Sequence, residues 1–366
     1  MLKLNILFGG FMDLFNETLE NIEPLYDDKI VLAKKRLDSL AKPIGSLGEL
    51  EEISWRMAGI TGKINNNIKK KNTIIMCADN GVIEEGVSSC PKNLTAVVTE
   101  NFTKGLSGVC VLSSQAKADI TIVDIGVDYD FNNKHVINKK IAYGTKNMKK
   151  GPAMTKEEAI KAIEVGIEIV DDLVKKGYNL FGTGEMGIGN TSTSTAVLSV
   201  LLDMDSDYLC GKGSGITDEM LENKKNVIKK SIEFNNPDKD DILDVISKVG
   251  GFDIAGLCGC FLGAAKNRVP IVIDGLISSV AALCAYRLNK NAREFMFPSH
   301  LSMEPGAEYI MKELNMRPFL HMEMRLGEGS GCPLAFNIIE SALAVINNMK
   351  TFEELKMETD YLIDIR

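Results

Sequence analysis

The sequence lacks the features that place a protein in a membrane, on nucleic acid or around a metal ion. No segment reaches the roughly eighteen uninterrupted apolar residues of a spanning helix, so no membrane span is predicted. Its 42 basic residues are outnumbered by 50 acidic ones, and a net charge of −8 supplies no basic face for nucleic acid. The eight cysteines form no CxxC pair, and no histidine stands at a zinc-like spacing. We therefore expect no metal site, and reduced core thiols in a cytoplasmic protein.

Positive charge concentrates in one polar, linker-like segment, residues 127–151. This segment is either a solvated basic loop or a patch that attracts an anionic substrate. Its lysines are Lys134, Lys139, Lys140, Lys146, Lys149 and Lys150.

What is present is the composition of a folded globular protein, with 45% hydrophobic and 25% charged residues. Short apolar runs alternate with longer helical patterns, which is typical of parallel βαβ units. The predicted strands are 73–78, 119–123, 178–182, 269–273, 294–298 and 318–322. The predicted helices are 47–58, 156–175, 218–234, 240–248, 254–265, 276–288 and 334–347. The expected fold class is therefore α/β, with a parallel sheet flanked by helices.

Both ends of the chain show helical spacing without a strong strand. We expect residues 12–60 and 334–366 to pair as a small helical subdomain beside a large α/β domain over 61–333. Residues 1–11 are an N-terminal extension, either an upstream mis-start or a surface segment. They are too short for a signal peptide, and the sequence from Met12 reads like a natural start.

The strongest local signal is FGTGEMGIGNTSTST at 181–195. Its four glycines follow a predicted strand and precede a helix start rich in Ser and Thr, so backbone N–H groups and a helix N-terminus can face an anion. The segment lacks the Gly-Lys-Ser/Thr of a P-loop and the acidic residue of a dinucleotide site. It predicts a phosphate cradle; the alternative is a glycine-rich turn that packs strand against helix.

Glu185 lies inside this segment, where a carboxylate would repel a phosphate. It therefore needs a separate role, such as binding a ribose hydroxyl or stabilising positive charge on a sugar ring, unless it faces solvent. A second glycine cluster, at 211–215, precedes a helix that carries Lys224 and Lys225. Their ammonium groups can reach back to a phosphate, although this second motif is weak on its own.

Two further loops follow predicted strands, Asp274-Gly275 and SHLSMEPG at 299–306. Because ligands collect at the carboxyl ends of parallel strands, both loops should face the same crevice as the glycine cradle. Ser302 can offer a hydroxyl there. His300 is more often a packed histidine than a catalytic one.

The last signal is RLGEGSG at 325–331. Glu328 stands among glycines, where it gains neither packing nor helix propensity. A general base fits this position, since it must approach an N–H group closely with little bulk beside it. The alternative is an ordinary acid in a surface loop.

Eight sequence blocks follow one another along the chain. They are KPIGSLGELEEI (42–53), ADNGV…EGVS (78–88), GTKNMKKGPAMT (144–155), GTGEMGIGNTS (182–192), GGFDIAGLCG (250–259), DGLISSVAAL (274–283), SHLSMEPG (299–306) and RLGEGSGCPLA (325–335). On these blocks the chain, over about residues 12–350, resembles the nicotinate-nucleotide–dimethylbenzimidazole phosphoribosyltransferase family. The blocks GEMGIGN and RLGEGSG are the most specific.

The resemblance implies a Rossmann-like sheet in a large catalytic domain, a homodimer, and no cofactor or metal. It implies transfer of ribose 5-phosphate from nicotinate mononucleotide to 5,6-dimethylbenzimidazole or a related base. Glu328 would be the general base and Glu185 an active-site carboxylate. The positions it assigns to the nucleotide and its phosphate are Gly187, Ile188, Gly189, Asn190, Thr191, Gly213, Lys224 and Ser302. Those it assigns to the incoming base are Ser88, Ser89 and Leu326.

Three positions depart from the family pattern. Asn80 stands where the family often has histidine, and Lys92 and Val97 stand where glutamine is common. At Asn80 one polar contact would differ. By the resemblance, Lys92 and Val97 lie in the part that contacts the incoming base, so we expect a preference shifted toward purines, other benzimidazoles or phenolics.

Two other functions fit the same sheet type. The first is a nucleotide-dependent dehydrogenase, against which the incomplete dinucleotide fingerprint counts. The second is a regulatory protein that binds a nucleotide without chemistry. Glu328 in its glycine frame counts against that interpretation, because a binding module has no use for a base there.

Overall fold

The computed structural model describes residues 14–366, so the extension predicted at 1–11 lies outside the described residues. Its centre is a six-stranded sheet in the order β3-β2-β1-β4-β5-β6, in which all neighbouring pairs are parallel. The strands are β1 (Lys71–Ala78), β2 (Asp119–Gly126), β3 (Val136–Asn138), β4 (Leu180–Met186), β5 (Ile271–Ile273) and β6 (Met296–Pro298). This is the strand order of a doubly wound Rossmann sheet. Successive strands are added toward one edge from β1 to β3 and toward the other edge from β4 to β6, so the order reverses between β1 and β4. The predicted parallel α/β fold is confirmed.

Helices surround the sheet. They are α1 (Leu14–Glu20), α2 (Asp27–Ser39), α3 (Glu49–Thr61), α4 (Leu94–Thr103), α5 (Gly108–Gln115), α6 (Lys156–Lys175), α7 (Asn190–Leu202), α8 (Ser206–Leu209), α9 (Asp218–Asn235), α10 (Ile242–Val249), α11 (Phe252–Lys266), α12 (Leu276–Leu288), α13 (Gly306–Glu313) and α14 (Cys332–Asn348), with 3-10 helices at Gly81–Glu85 and Lys290–Phe295. Within residues 14–366, none of them has the length and apolar character needed to cross a membrane.

Helices α6 and α11 pack so closely that their backbones are in contact. The predicted start of α6 is confirmed: the Thr155 hydroxyl accepts the Glu158 N–H, and the Glu158 carboxylate accepts the Thr155 N–H. A Cβ on Gly166 or Gly259 would overlap the backbone of the facing helix, so both positions need glycine. Helix α11 also packs on the central strands, and β1 and β4 are buried along their whole length. That burial explains their continuous hydrophobicity.

One strand prediction fails and one strand was missed. Residues 318–322 do not form a strand; Leu320 makes only an isolated bridge with His300, and the segment is partly exposed. Strand β3 was not predicted, because it has three residues and lies inside the lysine-rich segment interpreted as a linker. Its pairing with β2 supplies the backbone hydrogen bonds that its own sequence does not signal.

The two ends of the chain lie together. Ala33 and Leu37 of α2 and Ala58 of α3 share a buried apolar cluster with Ile346 of α14. Helix α14 ends at Asn348, however, so the helical pattern predicted to continue through residues 349–366 is wrong; those residues form turns and loops. The division into a small and a large domain stays a prediction.

Candidate active site

One cavity of about 260 Å³ opens at the carboxyl ends of the strands. Segments that follow β1 and β4 both line it, so it occupies the point where the strand order reverses. Of the predicted site residues, all but Ser89 line this cavity. Those that do are Ser88, Glu185, Gly187, Ile188, Gly189, Asn190, Thr191, Gly213, Lys224, Ser302, Leu326 and Glu328.

The turn between β4 and α7 forms one wall of the cavity. Gly189 has a φ of +95°, and a Cβ on Gly187 would meet the Ala78 carbonyl at 2.5 Å, so both glycines are needed for this tight turn. The Ile188 N–H is donated to Thr95 Oγ1 at 3.2 Å and the Asn190 N–H to the Gly187 carbonyl at 3.1 Å. An anion in this part of the cavity would therefore be bound by the remaining N–H groups of the turn, by the N-terminus of α7 and by side chains.

Lys224 supplies a buried positive charge beside this turn. Its side chain is 1% exposed, and its ammonium donates to Thr191 Oγ1 at 2.9 Å and to the Gly211 carbonyl at 3.0 Å. Within residues 14–366, no carboxylate lies within ion-pair distance of it. Burial lowers the pKa of Lys224. A buried cation without a counterion, next to a helix N-terminus, is an arrangement that an anionic ligand would stabilise.

Gly213 lies close to Lys224 but does not offer a free N–H. Its N–H is donated to Glu304 Oε1 at 3.1 Å, and the Ser302 hydroxyl accepts the Glu304 N–H at 3.3 Å. A Cβ on Gly213 would meet Thr191 Oγ1 at 3.1 Å. The missing side chain of Gly213 therefore leaves room for the Thr191 hydroxyl beside Lys224. Glu304, which the sequence did not single out, holds the second glycine cluster in place.

Glu185 belongs to a pair of buried carboxyl groups. The Asn190 side-chain amide donates to Glu185 Oε2 and, at 3.0 Å, to Asp253 Oδ2, so it bridges the two groups rather than facing a phosphate. Burial, with repulsion from Asp253, raises the pKa of Glu185 to about 8. Burial raises the pKa of Asp253 to about 6, against the hydrogen bond from Asn190. Asp253 was missed, although an acid in the first turn of the otherwise apolar helix α11 is an available signal.

Asn80 lies behind the glycine turn and does not line the cavity. It is fully buried, and its Oδ1 accepts a hydrogen bond from Thr193 at 3.2 Å. A Cβ on Gly187 would lie 2.9 Å from the Asn80 amide. The departure from the family pattern at Asn80 therefore changes a polar contact in the packing of the turn.

Glu328 is presented on unusual backbone. It has a φ of +63° between Gly327 at +79° and Gly329 at +95°, so three consecutive residues adopt the left-handed region. Its Oε2 accepts the Val109 N–H at 3.2 Å, at the start of α5. Burial raises the pKa of Glu328, and the N–H groups of Val109 and Gly108 oppose that shift. No sequence pattern indicated that α5 would meet this carboxylate.

The segment from Ser88 to α4 forms an apolar wall of the cavity. Leu94 and Val98, one turn apart on α4, line it together with Ser88. Ser89 turns away, and its hydroxyl donates to the Gly215 carbonyl at 2.7 Å. Ser89 does not line the cavity, and its contact with the base stays a prediction.

Lys92 and Val97 also lie off the cavity. The Lys92 ammonium is paired with Asp128 at 2.6 Å, and Val97 is half exposed on the outer side of α4. Leu94 and Val98 occupy the inner face of the same helix, so the segment that contains Lys92 and Val97 borders the cavity although these two side chains do not. The shifted base preference stays a prediction. Cys90, the one cysteine of the eight that is not fully buried, lines the cavity nearby.

Two residues from the loops after β5 and β6 complete the cavity. His300 is buried, and its Nδ1 lies 3.0 Å from Ser299 Oγ. Burial lowers the pKa of His300, so the imidazole is neutral near pH 7. Asp274 is buried at the end of β5 and faces the segment that carries Glu328.

The lysine-rich segment does not contribute to the cavity. Four of its six lysines are paired with carboxylates: Lys139 with Glu168, Lys140 with Asp124, Lys149 with Glu85 and Lys150 with Glu84. None of the six lines the cavity among the residues that the structure describes. Of the two interpretations, the basic loop is favoured over a patch that attracts substrate.

Known proteins resemble the chain over most of its length. A family model described as phosphoribosyltransferase matches residues 22–357. The nicotinate-nucleotide–dimethylbenzimidazole phosphoribosyltransferase of Clostridium tetani is 60% identical over 97% of this chain and 98% of the relative. That of Ruminiclostridium cellulolyticum is 56% identical over 94% and 98%. The crystal structure of CobT from Thermus thermophilus superposes with a TM-score of 0.87 at 31% identity, covering 90% of this chain and 99% of that one.

These relatives match the chain in fold, in length and in sequence over at least 90% of its residues. The family match covers the cavity-lining segments, from Ser88 to Glu328. The chain belongs to the phosphoribosyltransferase family that contains the nicotinate-nucleotide–dimethylbenzimidazole phosphoribosyltransferases.

Proposed function

We propose that the chain transfers ribose 5-phosphate from nicotinate mononucleotide to 5,6-dimethylbenzimidazole or a related base. The products are the α-ribotide, used in cobamide assembly, and nicotinate. One observation carries the proposal: a single cavity combines an anion-binding corner, formed by Thr191, Lys224 and the start of α7, with the carboxylate of Glu328. The names of the similar enzymes support these substrates.

The anion-binding corner would hold the 5-phosphate. The phosphate would provide the counter-charge that the Lys224 ammonium lacks within residues 14–366. Thr191 and Ser302 add hydroxyl groups at the same end of the cavity. Fixing the phosphate there orients the ribose, and orientation of this kind can supply a large part of the rate enhancement.

The reaction exchanges one carbon–nitrogen bond for another. The bond between C1′ and the pyridinium nitrogen breaks, and its electron pair neutralises the departing nicotinate ring. The incoming azole nitrogen forms the new bond to C1′, and the N–H proton of the azole passes to Glu328. General-base assistance of this kind contributes on the order of 10²–10⁴-fold. No phosphoryl bond is broken, and we propose no cofactor.

Glu185 would act as a neutral carboxyl group. Because its pKa is raised to about 8, it is mostly protonated near pH 7 and does not repel the phosphate held beside it. The protonated oxygen can donate a hydrogen bond to the ribose. This resolves the difficulty of an acid inside a phosphate-binding turn.

The protein is further proposed to be a cytoplasmic homodimer, as the family resemblance implies. Light scattering would then give twice the chain mass of 40.1 kDa. A mass equal to one chain at micromolar concentration would contradict the dimer.

Nicotinate release tests the function directly. The purified protein is incubated with nicotinate mononucleotide and a panel of benzimidazoles, purines and phenols, and both nicotinate and the ribotide are quantified. Release of nicotinate in step with ribotide supports the proposal. Absence of base-dependent release across the panel would refute it.

A further inference from the structure

The loop that carries Glu328 needs support from outside itself. Left-handed backbone suits Gly327 and Gly329 but is unfavourable for Glu328, which lies between them. Within the loop, the Ser330 N–H is donated to the Gly327 carbonyl at 3.0 Å. One short contact of this kind does not determine where the Glu328 carboxylate is aimed.

Asp274 supplies that support from the end of β5. Its Oδ2 accepts the Gly329 N–H at 3.0 Å, and its Oδ1 accepts the Gly331 N–H at 2.7 Å. A single carboxylate thus binds backbone on the C-terminal side of Glu328 with both oxygens. It is 3% exposed, so water does not compete effectively for these bonds.

The position of Asp274 is itself fixed. Its backbone N–H is donated to Ser278 Oγ at 3.1 Å, and Ser299 Oγ donates to its carbonyl at 3.3 Å. Ser278 lies near the start of α12, and Ser299 directly follows β6. The carboxylate is therefore anchored to rigid elements on both sides, which is what a support for a catalytic group requires.

Two alternative roles for the carboxylate are weaker. An ion pair would need a cation, but the closest candidate, His300, has its Nδ1 4.0 Å from Oδ1 and is neutral, because burial lowers its pKa. Asp274 also borders the cavity, but its two oxygens are turned toward the loop, where they accept the Gly329 and Gly331 N–H groups. The side-chain hydrogen bonds of Asp274 are therefore made to the loop that carries Glu328.

We propose that Asp274 is the positioning residue of this enzyme: by accepting the Gly329 and Gly331 N–H groups it holds the left-handed loop that aims Glu328. The inference rests on the proposed function of Glu328 as the base. Asp274 acts through the loop and does not itself take a proton from the substrate.

The test is a double-mutant cycle between Asp274→Asn and Glu328→Gln. In the otherwise unchanged protein, Asp274→Asn should lower kcat roughly 100-fold, the scale of a catalytic group misplaced by about an ångström. The KM for nicotinate mononucleotide should change by less than about threefold, because the anion-binding corner is untouched. In the Glu328→Gln background, the same substitution should lower single-turnover nicotinate release by less than about threefold, since there is no base left to misplace.

A matched control separates positioning from general loss of a buried acid. Asp124 is also buried near the end of a strand, and its Oδ1 accepts the Val127 N–H at 2.9 Å, but it lies outside the cavity. Asp124→Asn should lower the melting temperature and leave kcat of the folded protein unchanged. If Asp274→Asn does not fold, Asp274→Ser is used, since its smaller side chain leaves room for a water molecule to accept both amides.

The outcomes are distinct. A loss of kcat that vanishes in the Glu328→Gln background supports the positioning role. An equal loss in both backgrounds, or no loss at all, overturns it while the base role of Glu328 stands. Near-normal turnover of Glu328→Gln alone refutes the base itself, and the inference falls with it.

Discussion

The ammonium group of Lys224 lies 2.9 Å from the hydroxyl of Thr191, the second residue of the helix after the glycine-rich turn. The pair joins the two glycine motifs of the sequence into one corner of the cavity. The pair also lowers the stability of the fold, because among residues 14–366 no carboxylate lies within ion-pair distance of the buried cation.

Lys224→Met should therefore separate binding from stability. Loss of a charge-assisted contact of roughly 1.5–3 kcal/mol should raise the KM for nicotinate mononucleotide roughly 10–100-fold, with a smaller effect on kcat. The free energy of unfolding of the ligand-free protein should increase, because a desolvated charge is removed. Steady-state kinetics and denaturant unfolding measure the two effects.

Lys225→Met is the matched control for this substitution. Its ammonium is paired with Glu222 at 2.8 Å and lies outside the cavity. The KM should stay within about twofold of that of the parent protein. An unchanged KM in Lys224→Met as well would remove Lys224 from the phosphate site.

Glu328→Gln should lower kcat by about 10²–10⁴-fold while nicotinate mononucleotide still binds. The amide cannot take the azole proton, but the anion-binding corner remains intact. Rapid-quench measurement of nicotinate release and calorimetric titration of the nucleotide report the two properties separately. Glu323→Gln, an exposed acid earlier in the same segment, should have normal turnover. The base role is untenable if turnover of Glu328→Gln is close to normal.

The stability of the protein should fall as pH rises from about 5 to about 8. The folded-state pKa of Glu185 is raised to about 8 from an ordinary value of 4.5, so in this window the folded chain holds a proton that the unfolded chain has lost. Unfolding therefore releases a proton in this window, and a rising pH favours the unfolded state. Asp253, with a pKa raised to about 6, contributes with the same sign.

Glu185→Gln should reduce this pH dependence, and the contribution of Asp253 should remain. Urea unfolding at half-unit steps between pH 5 and 8 measures the slope, and the exposed acid Glu353 provides a control substitution to Gln that should leave it unchanged. A parent protein whose stability is flat or rises across this range would show that Glu185 is not held in its protonated form.

The sequence predicts the sheet and the cavity well because both depend on local patterns. Five of the six strands contain a short apolar run, and glycine positions such as Gly187 and Gly189 mark a turn with little room for side chains. Strand β3 was missed because its structure depends on pairing with β2. The segment 318–322 was overpredicted because an apolar composition does not say whether a hydrogen-bonding neighbour exists.

Partners of side chains were harder to predict. Asn190 lies in the expected phosphate turn, yet its amide bridges two carboxyl groups, one of which, Asp253, comes from a distant helix. Gly213 lies in the expected phosphate region, yet its N–H is donated to Glu304 Oε1. Such pairings are set by tertiary packing, which spacing along the chain does not encode.

Helix α4 shows what could have been inferred from periodicity. Leu94 and Val98 are four residues apart and face the cavity, whereas Val97 is turned away from it.

We therefore expect the preference for the incoming base to depend on the inner face of α4. Val98→Gln should lower kcat/KM for 5,6-dimethylbenzimidazole at least about tenfold relative to a purine, because a polar amide replaces an apolar contact.

Val97→Gln is the matched control, since it introduces the same side chain one position earlier on the outer face. It should leave the ratio of kcat/KM between the two bases within about twofold of the parent value, and Lys92→Gln should do the same. Competition assays with both bases present measure this ratio directly. A change of preference in Val97→Gln that equals the change in Val98→Gln would mean that the face of α4 does not select the base, and that the substitutions act through the helix as a whole.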